Sequence, residues 1–251
     1  MTRLGQKKQL KRLPAPAHWP ISRKSTKFTI RPRPGPHPKD SCIPIGILLR
    51  EVMGYAHDMR EIRKILTAGQ VKVDGRTVKQ AGFPLGVMDV ITVESSGQNF
   101  RILPRTDGKL VPVPIQQDEA GFKVCRIQSK RMVKGGAVQL SLHDGRCLLL
   151  PKDHNPEDYR LLDSLKILVP DQHLVSKFPL EKGAHVIITR GKNVGIQGKV
   201  VQVEKRYGTF ASIVTVEDLQ GKKVQTALQY VFVVGSNKPE VTLISAGGAK
   251  E

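Results

Sequence analysis

The sequence predicts a multidomain α+β protein: a basic extended N-terminal arm, a small α/β domain, a central β domain and a small SH3-like β-barrel. Three observations predict it. Seven of the 17 prolines fall at 14, 16, 20, 32, 34, 36 and 38, in a stretch that holds no acidic residue. Residues 43–78 carry apolar side chains at helical spacing, then alternating valines on either side of Asp74-Gly75. Beyond about residue 100, short alternating apolar runs are separated by glycine-containing turns, the mark of small β modules. A chain of 251 residues has room for about two to four such units. The expected division is 1–40, 41–94, 95–176 and 177–235, with a C-terminal tail over 236–251.

The arm comes first. Proline fixes φ and removes a backbone donor, so little helix or internal sheet is expected here. Residues 1–39 contain eleven Lys and Arg and none of the 22 acids, so they carry +11 of the net +19. A stiff cationic segment can lie along a phosphate groove, ordering only when bound. Lys7, Lys8, Lys11, Arg12, Arg23, Lys24, Arg31 and Arg33 are its candidate phosphate contacts. Trp19, the only tryptophan, could stack on a base. Packing on the protein's own surface fits it better.

In the next segment Ile45, Leu48, Leu49, Val52 and Met53 recur at helical spacing. Asp58, with Glu61 three residues on, starts a second helix in the manner of a capping box. Met59, Ile62, Ile65 and Leu66 form its apolar stripe, and Arg60, Arg63 and Lys64 fall on the other side. Gly69 is a plausible stop. Asp74-Gly75 between alternating strands signals a hairpin, and 87–93 reads as a further strand. The hairpin places Lys72, Arg76 and Lys79 near the cationic helix face, a layout suited to phosphates and the shape of a helix junction.

The central domain shows candidate strands at 100–103, 110–115, 122–128, 137–142 and 146–150. The last module shows them at 184–189, 197–204, 211–218, 223–226 and 230–234, about the number a small barrel needs. In the loop Arg190-Gly191-Lys192-Asn193, glycine permits a tight turn while Arg190 and Lys192 offer charge to a phosphate. Val186, Ile188 and Val200 are expected to fill the interior.

Several function classes find no support. Cys42, Cys125 and Cys147 are odd in number and far apart, which suits neither a disulfide framework nor a zinc knuckle. The seven histidines show no metal-ligand spacing. His143-Asp144 reads as part of a turn rather than an acid–base pair. No glycine run carries a nucleotide-binding signature, and no apolar run approaches a membrane span. The expectation is a protein with no catalytic residues, no cofactor, no metal and no small-molecule substrate, whose charge is met by nucleic acid.

Two stretches resemble known modules. Arg60–Leu66, Gly69–Gly75 and Val87–Ile91 resemble the small RNA-binding domain of bacterial ribosomal protein four. Lys182–Val200 resembles the KOW motif of ribosomal proteins and transcription elongation factors. The whole chain resembles the archaeal and eukaryotic e-type family of small-subunit ribosomal protein four. The carrying pieces are Leu10–Pro16 with His18-Trp19, Arg31–His37, Val73–Arg76, Gly86–Val90, Phe122–Ile127 and His143–Arg146. The resemblance implies a cytoplasmic structural constituent of the small subunit, bound to its ribosomal RNA and to neighbouring ribosomal proteins. Two readings compete with it: an RNA-modifying enzyme that uses the same module as an appendage, and a KOW transcription factor that binds polymerase. The first would need a catalytic domain of roughly 150 residues, and none is left over. The acid-free arm argues against the second.

Overall fold

The computed structural model of the protein describes residues 9–150, 155–206 and 211–244. Its first feature corrects an expectation, because the arm is folded back on the body. Strand β1 (Leu10–Lys11) pairs antiparallel with β2 (Phe28–Thr29). Trp19 is 2% exposed, and its indole N–H donates to the Cys42 carbonyl at 2.6 Å. Prolines remove N–H donors but leave carbonyls that need partners. Two arginines supply them. Arg23 donates to the carbonyls of Leu13 and Ala15 at 2.8 Å and of Pro16 at 3.1 Å. Arg12 donates to Ser22 O at 2.8 Å and Thr26 Oγ1 at 3.1 Å, and pairs with Glu51. Leu10, Ala15 and Trp19 join the core of the following domain.

That domain opens with β3 (Ile43–Pro44) and α1 (Ile45–Ile47), which continues as a π-helical turn through Val52. Helix α2 (Met59–Thr67) follows. Its capping box forms as expected, with Glu61 accepting the N–H groups of His57 at 3.0 Å and Asp58 at 3.3 Å. Ile62 and Leu66 are fully buried, and Met59 and Ile65 pack partly. Strands β4 (Val71–Val73) and β5 (Arg76–Thr77) flank the Asp74-Gly75 turn, whose φ values of 48° and 75° are those of a tight hairpin. Strand β6 (Pro84–Leu85) pairs with β3. Strands β7 (Val90–Val93), β8 (Gln98–Pro104) and β9 (Leu110–Ile115) complete an antiparallel sheet in the order β5-β4-β7-β8-β9. Thus 98–115, expected in the central domain, hydrogen-bonds to the first sheet. Pro112 and Pro114 on β9 leave that edge with few donors.

After a single turn of helix, α3 (Gln117–Ala120), come β10 (Phe122–Met132), β11 (Val138–Leu142), β12 (Cys147–Leu149), β13 (Ser164–Leu168) and β14 (Leu174–Phe178). They form a sheet in the order β12-β11-β10-β13-β14. Strands β13 and β14 lie outside the runs picked from the sequence. The last sheet contains β15 (His185–Ile188), β16 (Gln197–Glu204), β17 (Ile213–Asp218), β18 (Lys223–Ala227) and β19 (Val231–Gly235), in the order β18-β17-β16-β15-β19. Val186, Ile188 and Val200 are buried there as expected. Closure into a barrel is not seen among the described residues. The turn through Leu228–Tyr230 carries the chain to the free edge of β15, but Leu228 N–H bonds Ser212 O and no ladder joins β19 to β18.

With only three short α-helices among the described residues, the architecture is mostly β rather than α+β. The three cores are fused, not strung on linkers: Met88 and Leu103 of the first domain and Val124 of the second pack into the core of the last sheet.

Candidate nucleic-acid interface and the charged junction beneath it

Burial of Ile62 and Leu66 fixes the rotation of α2, and the opposite face must then point to solvent. Arg60, Arg63 and Lys64 are exposed on it. The adjacent hairpin adds exposed Arg76 and Lys79. Lys72, half-buried, pairs with Glu94 at 2.5 Å. The hairpin is rigid because its turn is held from within: Asp74 Oδ1 accepts from Val90 N–H at 3.0 Å while Asp74 N–H donates to Val90 O at 2.8 Å.

The other candidate cations divide. Lys7 and Lys8 lie outside the described residues. Lys11 and Lys24 are exposed. Arg33 is exposed and donates to Gln80 Oε1 at 3.0 Å, while Arg31 is half-buried. Arg12 is a correction: it is 3% exposed, and three of its guanidinium nitrogens face the arm and Glu51, so it is not presented to a partner. Arg23 is likewise occupied by the arm's carbonyls. Arg190 and Lys192 are exposed on a loop seated against the first domain. A Cβ on Gly195 would lie 2.4 Å from the Arg105 carbonyl carbon, so only glycine permits that approach. Arg190 lies near Arg126 and His18; burial lowers the pKa of each, and its positive charge lowers both further.

Beneath these surfaces is a buried charged junction that the sequence reading did not single out. Lys123 Nζ, from β10, lies 2.5 Å from Asp89, 2.8 Å from Asp74 and 3.1 Å from Asp144. Arg146 bridges Asp74 at 2.7 Å and Asp144 at 3.2 Å. His37, from the arm, meets Asp89 at 3.0 Å, and Asp89 also accepts Gly86 N–H at 2.8 Å. One network therefore ties the arm, the first sheet and the central sheet. Burial alone would raise the Asp89 carboxyl, but the His37 and Lys123 charges outweigh it and hold it well below the usual range. Burial also works to raise Asp144, which Lys123, His143 and Arg146 hold at about 2. Burial works to lower Lys123, and the carboxylates hold it well above an ordinary ammonium. One strand away, fully buried Arg101 donates to the Glu119 and Phe122 carbonyls at 2.9 and 3.1 Å, and burial lowers it to about 10.

Cys125, His143 and Asp144 bring their ligand atoms within 4.8 Å of one another, a spacing a metal could use. Their bonding does not suit one. His143 Nδ1 accepts Arg126 N–H at 3.2 Å, so Nε2 carries the proton and faces Val87 O at 3.1 Å; both ring nitrogens are committed. Burial drives the Cys125 thiol well above its usual pKa, so no thiolate is offered. Lys123 already occupies the cation position beside Asp144. Burial, with Lys123 adding to it, holds His143 at about 3, so the ring is neutral.

The fold and its surfaces define a class: multidomain, mostly β proteins that join an S4 module to a KOW module. Family models match in that order, the RS4NT (NUC023) domain at 4–40, the S4 domain at 49–91, ribosomal family S4e at 96–174 and the KOW motif at 182–217. The small ribosomal subunit protein eS4 of Staphylothermus marinus is 44% identical over 247 residues, covering 97% of this chain and 98% of that one. The eS4 of Methanocaldococcus jannaschii is 39% identical, covering 97% and 100%. The crystal structure of the 30S ribosomal protein S4e from Thermoplasma acidophilum matches with a TM-score of 0.64 at 29% identity, covering 79% of this chain and 97% of that one. The chain belongs to the ribosomal protein family S4e, which is not an enzyme family.

Proposed function

We propose that the protein is a structural constituent of the small ribosomal subunit in the cytoplasm, where it binds ribosomal RNA by charge neutralisation and shape recognition and adjoins other ribosomal proteins. The observation that carries this is the cationic side of α2 with its hairpin. Arg60, Arg63, Lys64 and Arg76 stand exposed on a scaffold locked from below, and none has an ion-pair partner among the described residues. Charges on a pre-ordered scaffold lose little entropy when they bind. Lys11, Lys24, Arg31 and Arg33 of the arm, with Lys72, Arg190 and Lys192, are further phosphate contacts in this reading, as are Lys7 and Lys8, which lie outside the described residues. With β8 and β9 in the first sheet, the modules divide at about 40, 115, 176 and 235. Several contacts on one fused body then add as avidity. No helix among the described residues is long and apolar enough to cross a membrane.

The test is the salt dependence of binding to a small-subunit rRNA transcript. The triple variant R60A/R63A/K64A should lower the slope of log K against log salt by about 2–3, at roughly 0.7–0.9 per lost phosphate contact. Its stability should stay unchanged. Ile62→Ala should do the opposite, losing about 2–4 kcal/mol of stability as a core truncation with little change in slope. An unchanged slope in the triple variant refutes the assignment.

A further inference from the structure

We infer that the central domain, which carries neither the S4 nor the KOW module, has its own RNA contact: the tip of the β10–β11 hairpin, shaped to enter an irregular or widened RNA groove. This rests on the RNA-binding reading above and adds a third contact to it.

The hairpin reaches beyond its sheet. Strand β10 pairs with β13 only over Phe122–Arg126, whereas it pairs with β11 from Ile127 to Met132. Strand β12 stops at Gln139. Among the described residues the segment Arg131–Ala137 therefore stands as a two-stranded tip with no strand beside it, and none of its residues is buried. Gly135 and Gly136 have φ of 89° and 76°, and a Cβ on either would meet no described atom within 4 Å, so nothing described crowds the turn.

The chemistry of the tip selects its partner. From Gly121 to His143 the chain contains five cations and no acid. Three of them are occupied: Lys123 by the buried junction, Arg126 by the carbonyls of Gln229 and Val231, and Lys130 by those of Pro156 and Tyr159. The remaining two, Arg131 and Lys134, are exposed and have no side-chain partner among the described residues. Between them lies Met132, 78% exposed, the most exposed large apolar side chain described. The core has no use for it at that position. Alternation along β10 sends Arg131 and Met132 to opposite faces, so the tip offers a planar cation on one side and a thioether on the other. A finger with functional groups on both faces suits a groove better than a flat surface. A regular A-form major groove is too narrow for it, which points to a bulge, loop or junction. There Arg131 and Lys134 would take backbone phosphates, and the polarisable Met132 would pack on an unstacked base.

Two measurements on the full chain test this. The first compares wild type, R131A/K134A and R60A/R63A/K64A on the same rRNA transcript. The tip variant should lower the salt slope by about 1.4–1.8, with unchanged unfolding because both side chains are exposed. The second places a photoreactive residue at position 132 in the assembled small subunit. Crosslinks to unpaired nucleotides support the inference. If the α2 variant loses its slope while the tip variant keeps wild-type slope, or if position 132 crosslinks to protein or to nothing, the hairpin contact is overturned and the α2 reading stands. If wild type fails to bind the transcript, the broader reading fails first.

Discussion

Replacing Lys123 with methionine should expose what the buried junction does for stability. Methionine keeps most of the stem volume, so the overpacking and cavity contributions are small. What changes is the charge facing Asp74, Asp89 and Asp144, now 2.8, 2.5 and 3.1 Å from the ammonium. Breaking a buried ion pair by removing one partner costs about 3–5 kcal/mol. The three contacts do not sum, because Arg146 still reaches Asp74 and Asp144. The loss falls mainly on Asp89, left with His37 and the Gly86 N–H. The expected destabilisation is therefore near the lower end, about 3–4 kcal/mol at pH 7, or roughly 6–16 °C in Tm for a chain of this size. Urea unfolding should be followed by the fluorescence of Trp19, which reports the arm and first core, and by far-UV circular dichroism. Wild type should give coincident transitions if the junction couples the modules; K123M should separate them. Adding D89N removes the stranded charge, keeps one acceptor oxygen for the Gly86 N–H and turns an amide N–H toward His37 Nε2, which a neutral ring can accept, so K123M/D89N should recover part of the loss. A K123M protein within about 1 kcal/mol of wild type, or a D89N penalty that simply adds to it, would refute the reasoning.

Two further outcomes follow from the same geometry. His143 has its folded pKa lowered from 6.5 to about 3, chiefly by burial, so the unfolded state binds the proton first. Stability from this ring is complete above pH 6.5 and declines as pH falls toward 3, by up to about 1.4 kcal/mol per pH unit; Asp144, held at about 2, adds a loss between 3.8 and 2. Chemical denaturation at stepped pH should show that decline in wild type and a flatter profile between 6.5 and 4 in H143Q. Gly86→Ala would place a Cβ 2.4 Å from His37 Nδ1. It should destabilise by about 1–3 kcal/mol through displacement of that ring, and calorimetry should find much of the penalty removed when H37A is combined with it.

The gap between what was legible in the sequence and what was not has a physical pattern. The pieces by which the chain resembles its family, among them Arg31–His37, Val73–Arg76, Gly86–Val90, Phe122–Ile127 and His143–Arg146, deliver His37, Asp74, Asp89, Lys123 and Asp144 to a single buried network. Read along the chain they are turn residues and strand ends, and nothing local says that they meet. By contrast the exposed face of α2 is written in the helical periodicity of nine consecutive residues. Burying Ile62 and Leu66 leaves Arg60, Arg63 and Lys64 nowhere to go but outward.

The sequence alone therefore determined whatever depends on local spacing: the capping box and rotation of α2, the Asp74-Gly75 hairpin, most of the strands, and the concentration of charge in the first 39 residues. Tertiary structure decided which cations remain for a partner. The arm's prolines leave carbonyls without local donors, and Arg12 and Arg23 are consumed in meeting them, so a stretch that reads as extended becomes folded. It also decided that 98–115 completes the first sheet and that, among the described residues, no ladder closes the last one, since strand partners are chosen by long-range ladders that no short window of sequence contains.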